Sequence, residues 1–198
     1  MVERLPYTQN VVSSNLAGPT SNMELFKFIP IDAWQEIQDY FVNRIPAEKT
    51  QIGFNDSSEE NAWLARLILP DLKKFTGNDY SLTTVMLFGQ PPGAVQHEHI
   101  DGNKTNNPND KSWALNIPIA NCSQGKMFWH TGKFVLETRR NPAGFPYLEI
   151  VWQEPKQFLG SEVIDKPAIV RIDFPHYVVN SSDKHRIMLS ARFTPDIY

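Results

Sequence analysis

The segment YSLTTVMLFG (residues 80–89) is the first of six short apolar runs that follow one another along the chain. The others are SWALNIPIA (112–120), GKMFWHTG (125–132), YLEIVWQ (147–153), PAIVRIDF (167–174) and HRIMLSARF (185–193). The runs are about 6–10 residues long and rich in β-branched and aromatic residues, which is typical of strands. Short strands at this spacing, without helices between them, indicate an antiparallel sandwich or barrel. The sequence therefore predicts a mainly β architecture.

Two helices are predicted upstream of these runs. Apolar residues recur at intervals of three and four over 31–45, the pattern of an amphipathic helix. The sequence Asp56-Ser57-Ser58-Glu59-Glu60 indicates the start of a second helix, because a hydroxyl or carboxylate there can cap the free amides of the first turn. Pro70 lacks an amide proton, so we expect this helix to break there and a short one to end at Thr76-Gly77. Both helices are expected to brace the sheet.

The length of 198 residues suits a single domain with a full core. We predict one domain over 1–198, made of an N-terminal arm (1–22), supporting helices (23–78) and a β core (79–198). Two polar segments, 102–111 and 137–146, are predicted to be loops at the mouth of the barrel, where functional residues concentrate.

Composition excludes several classes of protein. Hydrophobic residues make up 41% and charged residues 21% of the chain, values that suggest neither disorder nor a membrane span. A formal net charge of −3 makes nucleic acid an unlikely partner. The start MVERLPYTQN does not resemble a signal peptide, and the single cysteine, Cys122, cannot form an intramolecular disulfide. We therefore expect a cytoplasmic protein in which Cys122 is a buried apolar residue rather than a nucleophile.

A candidate metal site follows the first run. In His97-Glu98-His99-Ile100-Asp101, alternate side chains project from the same face of a β-strand. Another histidine, His176, stands 75 residues after Asp101. Two imidazoles and one carboxylate on one face of an octahedron suit Fe(II) and leave three positions open. We predict His99, Asp101 and His176 as the ligands.

The H-x-D triplet alone is a weak signal, because histidines also occupy ordinary core and surface positions. The Pro92-Gly93 turn upstream strengthens it, as does Arg186, ten residues after His176. His97 leaves an ambiguity: it shares the face of His99 and is open to three roles, as a ligand, a substrate contact or a partner of a ligand.

Four features together resemble the Fe(II)/2-oxoglutarate-dependent dioxygenase superfamily, nearest its aspartyl/asparaginyl β-hydroxylase-like and prolyl-hydroxylase-like branches. They are H-x-D (99–101), the strand ALNIPI (114–119), P-H-x-x-x-N (175–180) and the final run HRIMLSARF. The resemblance covers roughly residues 80–195. It implies a double-stranded β-helix, a jelly-roll or cupin-like barrel that holds iron at its mouth and has α-helices flanking its outside. It also implies Fe(II) and 2-oxoglutarate as cofactors, and a hydroxylation that releases succinate and CO2.

Carried over to this chain, the resemblance assigns Arg186 to the far carboxylate of 2-oxoglutarate. A guanidinium suits that role because it presents a planar fork of donors and stays charged when buried. Arg186, Ser190 and Arg192 alternate onto one face of the last strand. Ser190 is therefore a further candidate contact of the co-substrate, and Arg192 is a candidate contact of the substrate or partner of a metal ligand. Asn116, inside an apolar strand, is the next candidate after Arg186, because a buried amide needs a partner, which the co-substrate's carboxylate or a metal ligand would supply.

Two other functions remain open. A cupin-type metalloprotein would use His97, His99 and His176 without 2-oxoglutarate, which leaves Arg186 unexplained. A jelly-roll that recognises a sugar or peptide would have an emptied metal site, against which the intact ligand set argues. The sequence leaves the substrate open between a small molecule and a polypeptide, and it does not set the oligomeric state.

Overall fold

The computed structural model describes residues 24–44, 51–54, 58–101, 112–140, 146–195 and 197. Within these residues there are two helices, α1 (Trp34–Phe41) and α2 (Glu59–Thr76). The strands are β1 (Phe26–Phe28), β2 (Gln51–Phe54), β3 (Ser81–Gln90), β4 (Trp113–Ala120), β5 (Gly125–Thr131), β6 (Phe134–Arg140), β7 (Pro146–Trp152), β8 (Gln157–Val163), β9 (Ala168–Arg171), β10 (His176–Asn180) and β11 (Arg186–Thr194).

The strands form two antiparallel sheets and a separate hairpin. The major sheet has the order β1-β9-β4-β11-β3-β2, and the minor sheet has the order β10-β5-β8. Residues 94–101 extend the minor sheet at its β10 edge, through the bridges Val95↔Val179 and His99↔His176. The hairpin is β6-β7. Neighbours in the sheets are distant in the chain, as in a jelly roll, so residues far apart in sequence meet in one layer.

Two layers of core hold these elements together. Between the sheets lie buried side chains from both, among them Met127, Trp129 and Val178 of the minor sheet and Val170 and Met188 of the major sheet. The second layer lies between the other face of the major sheet and the two helices. In β11 the alternation is plain, because Ile187, Leu189 and Ala191 all belong to this second layer.

The helices cover the major sheet from outside, as predicted. Helix α1 lies against β4, where Trp34 and Gln38 donate side-chain hydrogen bonds to the carbonyl of Pro118 at 2.8 and 3.0 Å. Helix α2 begins at the N-cap Ser58, whose hydroxyl accepts from the amide of Asn61, and ends at Gly77 in the left-handed conformation. In the described residues, no helix is long and apolar enough to cross a membrane.

The predicted break at Pro70 is wrong, because α2 runs without interruption from Glu59 to Thr76. A proline removes one backbone hydrogen bond of the helix. On both sides of Pro70 the helix carries side chains with no exposed surface, those of Leu64, Ile68 and Leu72. The free energy gained by burying them outweighs the lost hydrogen bond. The first helix is shorter than the predicted span 31–45.

Strand positions were predicted less completely. Strands β1, β2, β6, β8 and β10 have no counterpart among the six predicted runs, and β6 and β7 occupy 137–140 and 146 of the predicted loop. The predicted arm (1–22) and the predicted loop 102–111 lie outside the described residues. The architecture is nevertheless the predicted one, a mainly β double-stranded β-helix with flanking helices.

Candidate active site

The two histidines of the predicted metal site lie on neighbouring backbones. The amide of His99 donates to the carbonyl of His176 at 3.0 Å, and the amide of His176 donates to the carbonyl of His99 at 2.9 Å. This reciprocal pair is the closely spaced pairing of an antiparallel ladder, which places both side chains on the same face of the sheet. Their ring centroids are 4.4 Å apart.

Each imidazole is oriented by its own backbone. Nδ1 of His99 lies 2.8 Å from the carbonyl oxygen of His97, and Nδ1 of His176 lies 2.8 Å from that of Phe174. A carbonyl oxygen only accepts, so in each ring Nδ1 is the donor of this hydrogen bond and Nε2 is the atom left to face a metal. Burial lowers the pKa of His176 to about 4, and this ring is therefore neutral at physiological pH, the form that binds a metal.

Asp101 completes the group. Its Oδ1 lies 3.5 Å from Nε2 of His99, and its Oδ2 lies 4.0 Å from Nε2 of His176. Burial opposes the ionisation of Asp101, but the neighbouring His99, Arg192 and His176 outweigh it and hold the pKa of this carboxyl below its ordinary value. Within the described residues, His99, Asp101 and His176 are the group of possible metal ligands whose donor atoms lie within 4.8 Å of one another.

A chain of hydrogen bonds continues from Asp101 into the major sheet. Arg192 donates to Oδ2 of Asp101 at 2.8 Å and to the hydroxyl of Ser190 at 2.7 Å. Ser190 in turn donates to Oδ1 of Asn116 at 2.7 Å. Ser190 and Asn116 are register partners on adjacent strands, which explains the contact. Arg192 therefore orients a predicted metal ligand, while the predicted co-substrate residues Asn116 and Ser190 satisfy each other.

Arg186 has a different environment. Its side chain is buried, with 5% of the residue exposed, and its Nη1 donates to the amide oxygen of Gln90 at 3.3 Å. Among the described residues no carboxylate lies within ion-pair distance of Arg186, and its Nε has no hydrogen-bond partner. Burial lowers the pKa of the Arg186 guanidinium, but this group stays charged at neutral pH.

All the predicted site residues meet in one cavity of about 360 Å³ between the two sheets. They are His97, His99, Asp101, Asn116, His176, Arg186, Ser190 and Arg192. The volume is within the usual range for small-molecule sites, roughly 300–1,000 Å³. His97 lies at the cavity's edge with an exposed side chain and does not belong to the three-residue ligand group.

Glu98 supports the ligand segment from outside the cavity, a role that the sequence did not reveal. It lies on the reverse side of the ligand segment from His99, where its carboxylate accepts from Nε1 of Trp152 at 2.9 Å. It also lies 2.7 Å from Nδ1 of His130 and 3.3 Å from Nζ of Lys156. Burial lowers the pKa of His130, although the negative charge of Glu98 acts in the opposite direction. Glu98 therefore ties the ligand segment to the minor sheet and to the hairpin; strand alternation places it opposite His99 but does not name its partners.

Two aromatic residues of β5 and the cysteine Cys122 are structural. Trp129 is fully buried and donates its indole N–H to the carbonyl of Arg171, and Phe128 stacks on Tyr177; neither lines the described part of the cavity. Cys122 is buried and donates to the carbonyl of Ile187, and burial raises the pKa of its thiol, as expected for an unreactive cysteine.

Comparison with known proteins adds information at the level of the fold. No protein-family model matches the chain, and no curated protein matches it in sequence. Among solved structures, the chain is similar to EvdMO1, with 13% identity and a TM-score of 0.51 over 85% of this chain. The chain spans 46% of the length of EvdMO1.

Two further structures carry descriptive names. One is the non-heme alpha-ketoglutarate-dependent carbocyclase SnoK from nogalamycin biosynthesis, with 11% identity, a TM-score of 0.45, and coverage of 85% of this chain and 78% of that one. The other is a prolyl-4-hydroxylase of Pseudomonas putida, with 13% identity, a TM-score of 0.42, and coverage of 85% and 91%. These similarities are too weak to assign an activity. The strand order described above, together with the similarity to EvdMO1, confirms the predicted fold, a double-stranded β-helix. This is the fold that the resemblance of the sequence to the Fe(II)/2-oxoglutarate-dependent oxygenases implied.

Proposed function

We propose that this protein is an Fe(II)- and 2-oxoglutarate-dependent oxygenase that hydroxylates an amino-acid side chain in a protein or a small metabolite. The observation that carries the proposal is the buried guanidinium of Arg186, which shares one cavity with His99, Asp101 and His176 and has no carboxylate partner among the described residues. A buried cation without an acid is costly unless an anion joins it. A dicarboxylic co-substrate supplies that anion.

The donor set fits iron. Two imidazoles whose Nδ1 atoms face backbone carbonyls and leave Nε2 for a metal, together with one carboxylate, are hard and borderline ligands of the kind that hold Fe(II) with open positions for other molecules. His99, Asp101 and His176 would hold the metal. A bound metal would supply the activation of dioxygen, which is the oxidant: one oxygen atom goes to the substrate as hydroxyl and the other to succinate, as 2-oxoglutarate is oxidised with loss of CO2.

The protein's share of the reaction is binding and orientation. Arg186 would fix the far carboxylate of 2-oxoglutarate by charge-assisted hydrogen bonds. Arg192 keeps one oxygen of Asp101 engaged, so that Oδ1 remains for the metal. The cavity mouth includes exposed Gln51, Val95 and His97, where we place the substrate.

The direct test is anaerobic absorption spectroscopy. Protein loaded with Fe(II) is expected to show a weak visible charge-transfer band when 2-oxoglutarate is added, and on exposure to air to form succinate slowly even without substrate. Screening amino acids, peptides and metabolites for faster succinate formation would then identify the substrate. A spectrum that 2-oxoglutarate leaves unchanged would refute the proposal.

A cupin-type metalloprotein is the competing function, and it needs His97 as a ligand. His97→Ala should leave iron affinity unchanged under our proposal, whereas His176→Ala should abolish tight binding. Equal losses in the two variants, measured by competition with a chelating dye, would favour the cupin.

A further inference from the structure

Two residues outside the predicted site set the position of the Arg186 side chain. The first is Gly125 of β5. A Cβ placed on Gly125 would lie 2.5 Å from Cδ of Arg186 and closer still to its Nε. Real side-chain carbons do not approach this closely, so the arginine side chain occupies the space that any other residue at 125 would fill.

The position of Gly125 gives a direction to this contact. Arg186 lines the cavity and Gly125 does not, which places the guanidinium between the glycine and the open space. The backbone at Gly125 is fixed by its own amide, which donates to the carbonyl of Cys122 at 3.0 Å, and by its register with Asn180. A methyl group at 125 would therefore push the guanidinium into the cavity rather than displace β5.

The second residue is Gln90, the register partner of Arg186 on β3. Its Nε2 donates to the carbonyl of Val178 at 3.0 Å, which turns its Oε1 toward Nη1 of Arg186 at 3.3 Å. Gln90 thus orients the guanidinium through a neutral acceptor. A carboxylate in the same place would neutralise it.

We propose that Gly125 and Gln90 are positioning residues that make the Arg186 site selective for a five-carbon 2-oxo dicarboxylate. Gly125 sets how deep the guanidinium lies, and so the length of diacid that reaches it from the metal ligands. Gln90 keeps its positive charge available. This inference rests on the proposed function and extends it to the choice of co-substrate.

The test is calorimetric binding of 2-oxoglutarate and of its four-carbon homologue, oxaloacetate, to the metal-free and Mn(II)-loaded protein. Gly125→Ala should weaken 2-oxoglutarate binding about tenfold or more, which is the effect of one misplaced methylene group. It should weaken oxaloacetate binding less, because a guanidinium pushed into the cavity lies closer to the shorter diacid. Gly160→Ala is the matched control. It lies on the adjacent strand β8, and its Cβ would meet only the flexible end of Leu25 at 2.8 Å. The Gly160→Ala variant should bind both diacids with the affinities of the wild type.

The charge is tested by a matched pair of variants. Gln90→Glu and Gln90→Leu both lose the bond to Val178, but only the first places a carboxylate beside Arg186. We expect Gln90→Glu to lower 2-oxoglutarate affinity by at least about 30-fold, and Gln90→Leu to lower it much less. Thermal denaturation of each variant separates these effects from unfolding.

The outcomes distinguish this inference from the proposed function. Wild-type protein that binds neither diacid refutes the proposed function itself. Wild-type protein that binds 2-oxoglutarate, with Gly125→Ala weakening both diacids equally or neither, refutes the role of Gly125. Equal affinities in Gln90→Glu and Gln90→Leu refute the role of Gln90.

Discussion

Arg186 and Arg192 are the same residue type on the same face of β11, six positions apart, and both line the cavity. Arg192 donates to the carboxylate of Asp101, whereas Arg186 meets only the neutral Gln90 among the contacts described. An arginine paired with an acid of its own chain serves to hold that acid in place. An arginine buried without such an acid keeps its charge for an acid brought by a ligand. The comparison therefore distinguishes Arg192, which orients the predicted metal ligand Asp101, from Arg186, which we propose binds the co-substrate.

The largest effect is expected at the acid itself. Asp101→Ala removes a predicted metal ligand and the partner of Arg192 at once. Iron affinity should fall by more than the roughly 10–100-fold that follows the loss of a ligand's hydrogen-bond partner, and succinate formation should stop. Iron titration by competition with a chelator checks this. Unchanged iron affinity would show that Asp101 is not a metal ligand.

Arg186→Ala should separate the two arginines most clearly. We expect 2-oxoglutarate affinity to fall at least about 30-fold, since a buried charge loses its partner, while iron affinity stays the same. Calorimetry with the oxo acid and chelator competition for iron measure the two affinities on one sample. A variant that loses iron but still binds 2-oxoglutarate would reverse the assignment of the two arginines.

Arg192→Leu should give the opposite result. Without its partner, Asp101 is less well oriented, and iron affinity should fall about 10–100-fold, with little change in the binding of 2-oxoglutarate to metal-free protein. Arg192→Lys, which keeps the charge but loses the fork of donors, should recover part of the loss. If neither variant changes iron affinity, Arg192 does not orient the metal ligand Asp101, and its role as a substrate contact is favoured.

The smallest effect is expected one bond further away. Ser190→Ala breaks the link between Arg192 and Asn116 and should lower iron affinity about two- to tenfold, the range for one hydrogen bond. Asn116→Ala is its control and should have a similar or smaller effect. A loss of 2-oxoglutarate affinity instead would restore Ser190 to its predicted role as a contact of the co-substrate.

The fold was predictable where strands are apolar and long enough. Runs 112–120 and 185–193 correspond to β4 and β11, in which most side chains are buried. Strand β8 escaped because it is exposed at its start and includes Gly160, and β1 because it has only three residues. Their strand geometry comes from pairing with β5 and β9, which local sequence does not encode.

The site was predictable as far as alternation along a strand reaches. That rule places His99 beside Asp101 and Arg186 on the face of Ser190. It cannot say which residue of another strand stands opposite, because register depends on the whole sheet. For this reason Gln90 as the partner of Arg186 and Ser190 as the partner of Asn116 were not predicted.

The reciprocal backbone hydrogen bonds between His99 and His176 have a consequence for engineering this cavity. Since main-chain atoms fix the separation of these two positions, exchanging either side chain leaves the mounting points where they were. Altered ligand sets should then be accepted without rebuilding the scaffold, so that cysteine or glutamate at either place becomes a way to retune which ion the barrel prefers.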